Sequence, residues 1–395
     1  MVLDDEPFIL KLHAHMLAEM GFVSSQLFEQ AALALAAMEQ GPPPDLILLD
    51  LSMPGMDGIE FIRHLVKRGF SGSLVLVSGE DERLLQTATS LVRAHGITAL
   101  GHLSKPVKPG PLRMLMEEWG AQPTSAIRRP ARKYGAAEIR QAMARREFVN
   151  HYQPKVSMRT GEILGVECLT RWQHPTDGLV LPGRFIDLAE AHGLIDEMTR
   201  LTFSQALDEM KALELAGFPL RVSVNLATPI LASIDFADFA AAEAQRASVR
   251  PQNITLEVTE SQLIKDLRAP LEVLTRLRLM RFGLSIDDFG TGYSSMTQLR
   301  IIPFDELKID QSFVHRSSVD PTARAMYDAS LGLAQQLNMK TVAEGVEDQA
   351  DWDLVQSTGC DEAQGFFIAR AMVAAALPAF REAWRERVRT ELTFF

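Results

Sequence analysis

The sequence predicts an α/β protein in two parts: a doubly wound parallel sheet, then an irregular (β/α)8 TIM barrel whose first strand pair is antiparallel. Three observations carry this. Short apolar runs alternate with amphipathic helical stretches along most of the chain, the pattern of parallel strands covered on both faces. Residues 121–137 hold two prolines, several small residues and four basic side chains, lack apolar periodicity, and read as a linker. The stretch that follows, residues 138–395, has roughly the 250 residues of a barrel.

At 395 residues, with 47% hydrophobic and 23% charged side chains, the composition is that of ordinary globular domains. No apolar run approaches the ~20 residues of a membrane span and no signal-peptide pattern opens the chain, so a cytoplasmic location is expected. Cys168 and Cys360 make neither a disulfide framework nor a metal-ligand spacing. A net charge of −11 and the lack of a basic recognition helix argue against DNA or membrane binding. An anionic substrate therefore needs local cations.

The first part is predicted element by element. A short strand at residues 1–3 runs straight into Asp4 and Asp5. A helix over 7–20 stops at Gly21. A strand at 22–28, an alanine-rich helix at 30–40 and a Gly-Pro breaker at 41–44 follow. DLILLD ends a strand on Asp50, and further strands span 74–78 and 98–103. Asp4, Asp5, Asp50, Ser78 and Lys105 all fall at strand ends, where ligands collect in such sheets. Three acids with a lysine make a Mg²⁺ site with its counter-charge; taken singly, each is a helix cap or a surface ion pair.

This pattern resembles the response-regulator receiver domain, a flavodoxin-like (βα)5 fold, over residues 1–120. The resemblance implies that Asp4, Asp5 and Asp50 hold Mg²⁺ and that Asp50 accepts a phosphoryl group from a sensor histidine kinase. It also implies that Ser78 and Lys105 contact that group and that Lys105–Pro106 is cis. Two departures stand out: the first strand is short, and His102 occupies the place of the family's aromatic switch residue. In the linker, Arg128, Arg129, Arg132 and Lys133 read as a solvated connector or a contact to an acidic neighbour.

In the second part, strands are expected at 149–156, 163–168, 221–225, 254–258, 283–287, 306–310, 341–344 and 363–368. Helices at 184–216, 261–281 and 321–338 separate several of them. Only residues 157–162, with Thr160–Gly161 as a turn, divide the first two strands, which forces a hairpin. The most informative stretch is LSIDDFGTGYSS: an apolar strand ends on the adjacent acids Asp287 and Asp288, which repel unless a cation joins them. Glu167, Asn225, Glu257, Lys308, Asp310, Glu344 and Gln364 also stand at strand ends, and a barrel delivers those ends to one rim. A lone strand-end Glu is ordinarily an ion pair, but this set makes an oxygen-rich site for hard divalent ions. No His or Cys pattern competes for zinc.

The motifs YQPKV, ECLTRW, VSVN, LEVTE, DDFGTGYSS, LKID, AEGVE and QGFFIAR, in this order, resemble the EAL domain, the cyclic-di-GMP-specific phosphodiesterase. Joined to a receiver, the whole resembles phosphodiesterase response regulators. The signature triplet here is Glu-Cys-Leu, with Cys168 expected to face into packing. The resemblance implies two divalent ions, Mg²⁺ or Mn²⁺, one on Glu167, Asn225, Glu257 and Asp287, the other on Asp287, Asp288 and Glu344. It implies hydrolysis of cyclic-di-GMP to linear pGpG by in-line attack of water, with Lys308, Glu344 and Glu167 catalytic. Lys308 either accepts the water's proton or stays charged and orients it. The resemblance also implies that Gln153, Leu169, Arg171, Asp310 and Gln364 form the substrate pocket, with Arg171 on phosphate. By the same resemblance Glu260 is expected to tether the 289–295 loop, in which Gly290 and Gly292 supply backbone freedom and which is expected to link the metals to the contacts of a homo-oligomer. The competing reading is a silent cyclic-di-GMP receptor or scaffold; such proteins lose metal ligands, the lysine or the loop sequence, and none is lost here. The terminal Phe394 and Phe395 have no account.

Overall fold

The computed structural model describes residues 1–22, 24–79, 82–121, 134–263, 268–291 and 296–392. The predicted linker from 122 to 133, loop residues 292–295 with Gly292, and the two terminal phenylalanines lie outside them. The chain divides into two compact units, Met1–Ala131 and Arg132–Phe395.

The first unit is a five-stranded parallel sheet. Its strands are β1 (Val2–Leu3), β2 (Leu27–Phe28), β3 (Leu46–Asp50), β4 (Ser73–Ser78) and β5 (Thr98–Ser104), in the spatial order β2-β1-β3-β4-β5. The continuous apolar runs of β3 and β4 are buried throughout because both faces are covered. Ile47, Leu49, Leu74 and Leu76 pack into one apolar cluster, and Leu48, Val75 and Val77 into another on the opposite face. β2 is much shorter than the expected strand over 22–28. It is an edge strand whose only partner among the described residues is the two-residue β1, so two of its residues find a ladder.

The second unit is an eight-stranded closed barrel. Its hairpin consists of β6 (Phe148–Ser157) and β7 (Ile163–His174), with β8 (Gly178–Val180) added outside β7. β9 (Arg221–Asn225), β10 (Ile254–Thr259), β11 (Gly283–Phe289), β12 (Glu306–Ile309), β13 (Lys340–Ala343) and β14 (Glu362–Ala363) continue round the wall. β6 closes the ring and runs antiparallel to both neighbours, β7 and β14, while the other wall strands are mutually parallel. The hairpin turn is where the sequence places it. Gly161, at φ 70°, donates its N–H to Ser157 O at 2.8 Å.

Three expectations need correction. β7 runs on to His174, because β6 and then β8 give it antiparallel partners beyond Cys168. β14 holds only two residues, because the chain folds back over Val346 immediately after it. The long helix expected over 184–216 is three pieces, a turn at Pro182–Arg184 and helices Ile186–Ala191 and Ile195–Leu215, interrupted at Gly193 with φ 66°. Among the described residues no helix is long and apolar enough to cross a membrane.

Candidate metal-binding active site

At the carboxyl end of the barrel, β7 delivers Glu167, β9 Asn225, β10 Glu257, β11 Asp287 and β12 Lys308, and Glu344 follows β13 directly. Lys308 is 1% exposed, so its ammonium must be paired. Its Nζ lies 2.7 Å from Glu344 Oε1, 2.9 Å from Glu257 Oε2, 3.0 Å from Asp287 Oδ1 and 3.6 Å from Glu167 Oε2. Burial opposes its charge, yet these four carboxylates together raise its pKa well above the ordinary lysine value.

The adjacent acids reach one site through a bulge. Pairing between β11 and β12 slips between Ile286 and Phe289, which face Leu307 and Ile309, and Asp288 takes φ 53°. In an unbroken strand successive side chains point to opposite faces. Here an oxygen from each of Asp287, Asp288 and Glu344 lies within 4.8 Å of the others, and Glu167, Glu257 and Asp287 form a second such group. Asp287 belongs to both.

The donor set fits divalent cations. Burial and then its neighbours Asp287 and Asp310 push the Asp288 carboxyl up to about 6. Burial also raises Glu167 and lifts Glu344 well above the usual carboxylate range, against the pull of Lys308. One ammonium thus leaves the cluster short of positive charge, and every remaining donor is an oxygen suited to a hard ion. Glu257 is the exception: burial would raise it, but Lys155 and Lys308 hold it ionised, with a pKa of about 2. Sequence reasoning gave Lys155 no role, although it lies two residues after Gln153 and so on the same side of β6.

A chain of amides fixes Glu167. Asn225 Nδ2 donates to its Oε1 at 2.8 Å and Gln364 Nε2 to its Oε2 at 2.6 Å. Gln364 Nε2 also reaches Gln153 Oε1 at 3.0 Å, and Gln153 Nε2 donates to Ala369 O. Gln153, Leu169, Asp310 and Gln364 line one cleft of about 230 Å³ with Glu167, Asp288 and Glu344. Arg171 does not join the lining; it is half-buried further along β7, its guanidinium donating to Thr170 O. Phe366 does, half exposed at the mouth with the Arg370 guanidinium 4.1 Å from its ring centre; the paired phenylalanines of QGFFIAR were the available signal.

Glu260 Oε2 accepts the N–H of Gly290 at 2.6 Å, and Gly290 sits at φ 95° against the Phe313 ring. This bond ties the end of β11 to the turn after β10. Glu260→Ala is expected to loosen the segment next to Asp287 and Asp288 and to weaken Mn²⁺ binding about tenfold, read by calorimetry. Unchanged affinity and activity would remove the tether. His315, Asp348 and Asp351 also cluster, but Asp351 uses its oxygens on the N–H groups of Arg316 and Glu347 and on His315 Nδ1. That group clamps two loops.

In the first unit, Lys105 Nζ lies 2.8 Å from both Asp4 Oδ2 and Asp50 Oδ2. Carboxylate oxygens of Asp4, Asp5 and Asp50 lie within 4.8 Å of one another. Ser78, fully buried at the end of β4, accepts the Lys105 N–H through its carbonyl, and Lys105–Pro106 is cis. His102 on β5 lies 3.2 Å through Nδ1 from Thr89 Oγ1.

Residues 1–117 match the response regulator receiver domain and residues 136–371 the EAL domain. Over 94% of its length the chain is 33% identical to the cyclic di-GMP phosphodiesterase RocR of Pseudomonas aeruginosa, of which it covers 95%. The chain is a receiver–EAL protein. It is also 41% identical, over 61% of its length, to the bifunctional diguanylate cyclase/cyclic di-GMP phosphodiesterase MucR of the same organism, covering 36% of that protein. A solved cyclic di-GMP complex of the PaMucR phosphodiesterase matches 61% of this chain and 98% of that one, at 40% identity and a TM-score of 0.59. In this EAL domain Cys168 is buried in the apolar cluster that holds Tyr152, Phe203 and Leu207. The small middle residue of the triplet is a packing residue, as the sequence implies.

Proposed function

We propose that this receiver–EAL protein hydrolyses cyclic di-GMP to linear pGpG, with a receiver domain at residues 1–120 acting through the 121–137 linker on an EAL domain at 138–395. The observation that carries the reading is the Lys308 ammonium enclosed by Glu167, Glu257, Asp287 and Glu344 at the open end of the barrel. A scaffold gains nothing from five ionisable groups crowded at one rim.

Two divalent ions, Mg²⁺ or Mn²⁺, held by Glu167, Asn225, Glu257 and Asp287 and by Asp287, Asp288 and Glu344, would supply Lewis-acid stabilisation of the phosphodiester and an acidified water. Lys308, held among these carboxylates, places its Nζ to position the attacking water. Glu344 and Glu167 flank that nitrogen and complete the catalytic set. Gln364 Oε1 is buried without a hydrogen-bond donor among the described residues, an acceptor that a guanine N–H would satisfy. Gln153, Leu169 and Asp310 shape the same cleft, and Arg171 pairs with phosphate as the substrate spans the rim.

The test is incubation of the purified protein with cyclic di-GMP and Mg²⁺ or Mn²⁺, with nucleotides separated by chromatography and Glu167→Ala alongside. Formation of pGpG, lost with chelator and in the variant, is the expected result. Intact nucleotide that co-elutes with the protein would make it a receptor.

Regulation follows from the receiver site. Asp50, beside Asp4, Asp5 and Lys105, takes a phosphoryl group from a histidine kinase on a Mg²⁺-dependent site, and Ser78 and Lys105 sense it. The output passes through a homo-oligomer. Asp50→Asn is expected to abolish labelling by acetyl phosphate and any accompanying change in hydrolysis rate; a variant still labelled to the same extent would move the acceptor elsewhere.

A further inference from the structure

We infer that Lys155 is a positioning residue of the metal centre, fixing the Glu257 carboxylate from beneath while Lys308 meets it from the rim. This rests on the reading of the rim as a divalent-metal site. The two oxygens of Glu257 are divided between the two lysines: Oε1 lies 2.7 Å from Lys155 Nζ and Oε2 2.9 Å from Lys308 Nζ. A carboxylate gripped at both oxygens by different strands cannot rotate about its last torsion without breaking one contact.

Four strands meet at the Lys155 ammonium. β6 carries it, β10 supplies Glu257, β9 supplies Ser223 Oγ at 2.8 Å and β12 supplies Glu306 Oε1 at 3.3 Å. Lys155 is 2% exposed, and with Lys308 it makes the full set of buried lysines and arginines among the described residues. Glu306 stands two positions before Lys308 on β12, so both point into the barrel and form successive layers. Lys155 answers the lower layer, which leaves Lys308 for Glu344, Asp287 and Glu167 above.

Without Lys155 the Glu306 and Glu257 carboxylates have one ammonium, Lys308, within reach. The lysine is then drawn inward, and Glu257 turns away from Glu167 and Asp287. Residues that orient a metal ligand typically contribute 10- to 100-fold to metal affinity.

The experiment is calorimetric titration of the full-length protein with Mn²⁺ alone, beside thermal melts of the metal-free protein. The set is wild type, Lys155→Met and the double variant Lys155→Met/Glu306→Gln. Lys155→Met is expected to lose Mn²⁺ affinity about 10- to 100-fold and to melt lower. The double variant, in which the orphaned carboxylate is neutral, is expected to recover the melting temperature but not the affinity. Recovery of both would reduce Lys155 to charge balance and overturn the inference, as would wild-type affinity in Lys155→Met. Wild type that binds no Mn²⁺ would instead remove the metal reading itself, and this inference with it.

Discussion

Lys308→Ala is expected to abolish hydrolysis and to leave the metal-free barrel unstable at neutral pH. Lys308 positions the nucleophile, and misplacing a reacting group by about 1 Å costs about 10²-fold in rate. Its removal strands Asp287, Glu344 and Glu167 beside one another, since Lys155 bonds only to Glu257 of the rim acids. Deleting one partner of a buried ion pair costs roughly 3–5 kcal/mol. The pH dependence has a definite sign. Glu167 and Glu344 already sit above their ordinary carboxylate values, and loss of the ammonium pushes them further up. A carboxyl raised on folding binds more protons folded than unfolded, so its contribution is full below its unfolded pKa. That contribution is lost as pH rises through the folded one. The metal-free variant should therefore melt closer to wild type at pH 5 than at pH 7.5, and Mn²⁺ should recover the difference. Equal melting temperatures at both pH values, or residual pGpG formation within tenfold of wild type, would contradict the cage.

Gly365→Ala is expected to cost about 100-fold in kcat/KM without touching a ligand. A Cβ at Gly365 would fall 2.1 Å from Val346 O and 2.4 Å from Val346 N, both backbone atoms. Val346 donates its N–H to Gln364 O at 3.1 Å and accepts from Phe367 N at 2.9 Å, so these bonds join the loop carrying Glu344 to the loop carrying Gln364. A methyl group there forces the two apart. Displacement on the order of 1 Å in a catalytic site costs about 10²-fold, and overpacking about 1–3 kcal/mol. Gly332→Ala, in the helix Pro321–Gln336 where an added Cβ meets nothing within 4 Å, is the control: unchanged kinetics and about 1 kcal/mol more stability. Wild-type kcat/KM in Gly365→Ala would mean the two loops move independently.

Much of the fold is legible because its signals are local. β9 begins and ends where the apolar run RVSVN does, and the Thr160–Gly161 turn alone dictates the antiparallel β6–β7 pair. Strand lengths at the edges and seams are not legible, since β2 and β14 stop where their partners stop. Helix continuity fails at Gly193 for a related reason: the amphipathic pattern passes through the break because both flanking segments pack on the same barrel. In the site, motif residues on different strands converge because parallel strands share one rim, yet Lys155 stayed invisible. Its partners Ser223, Glu257 and Glu306 lie 68, 102 and 151 residues away, and a single lysine in a strand carries no mark of burial.

The sequence by itself determined that acids, amides and one lysine lie on or just after successive barrel strands, and hence that they collect at a single rim. Alternation and chain direction are properties of each segment taken alone. The tertiary structure decided how those groups touch. The bulge at Asp288 turns two neighbouring acids the same way, Glu257 is shared between two lysines, and Gln364 clamps Glu167 across 197 residues of chain. These arrangements depend on closure of the barrel, which brings distant backbones to hydrogen-bonding distance, and no local pattern specifies that distance.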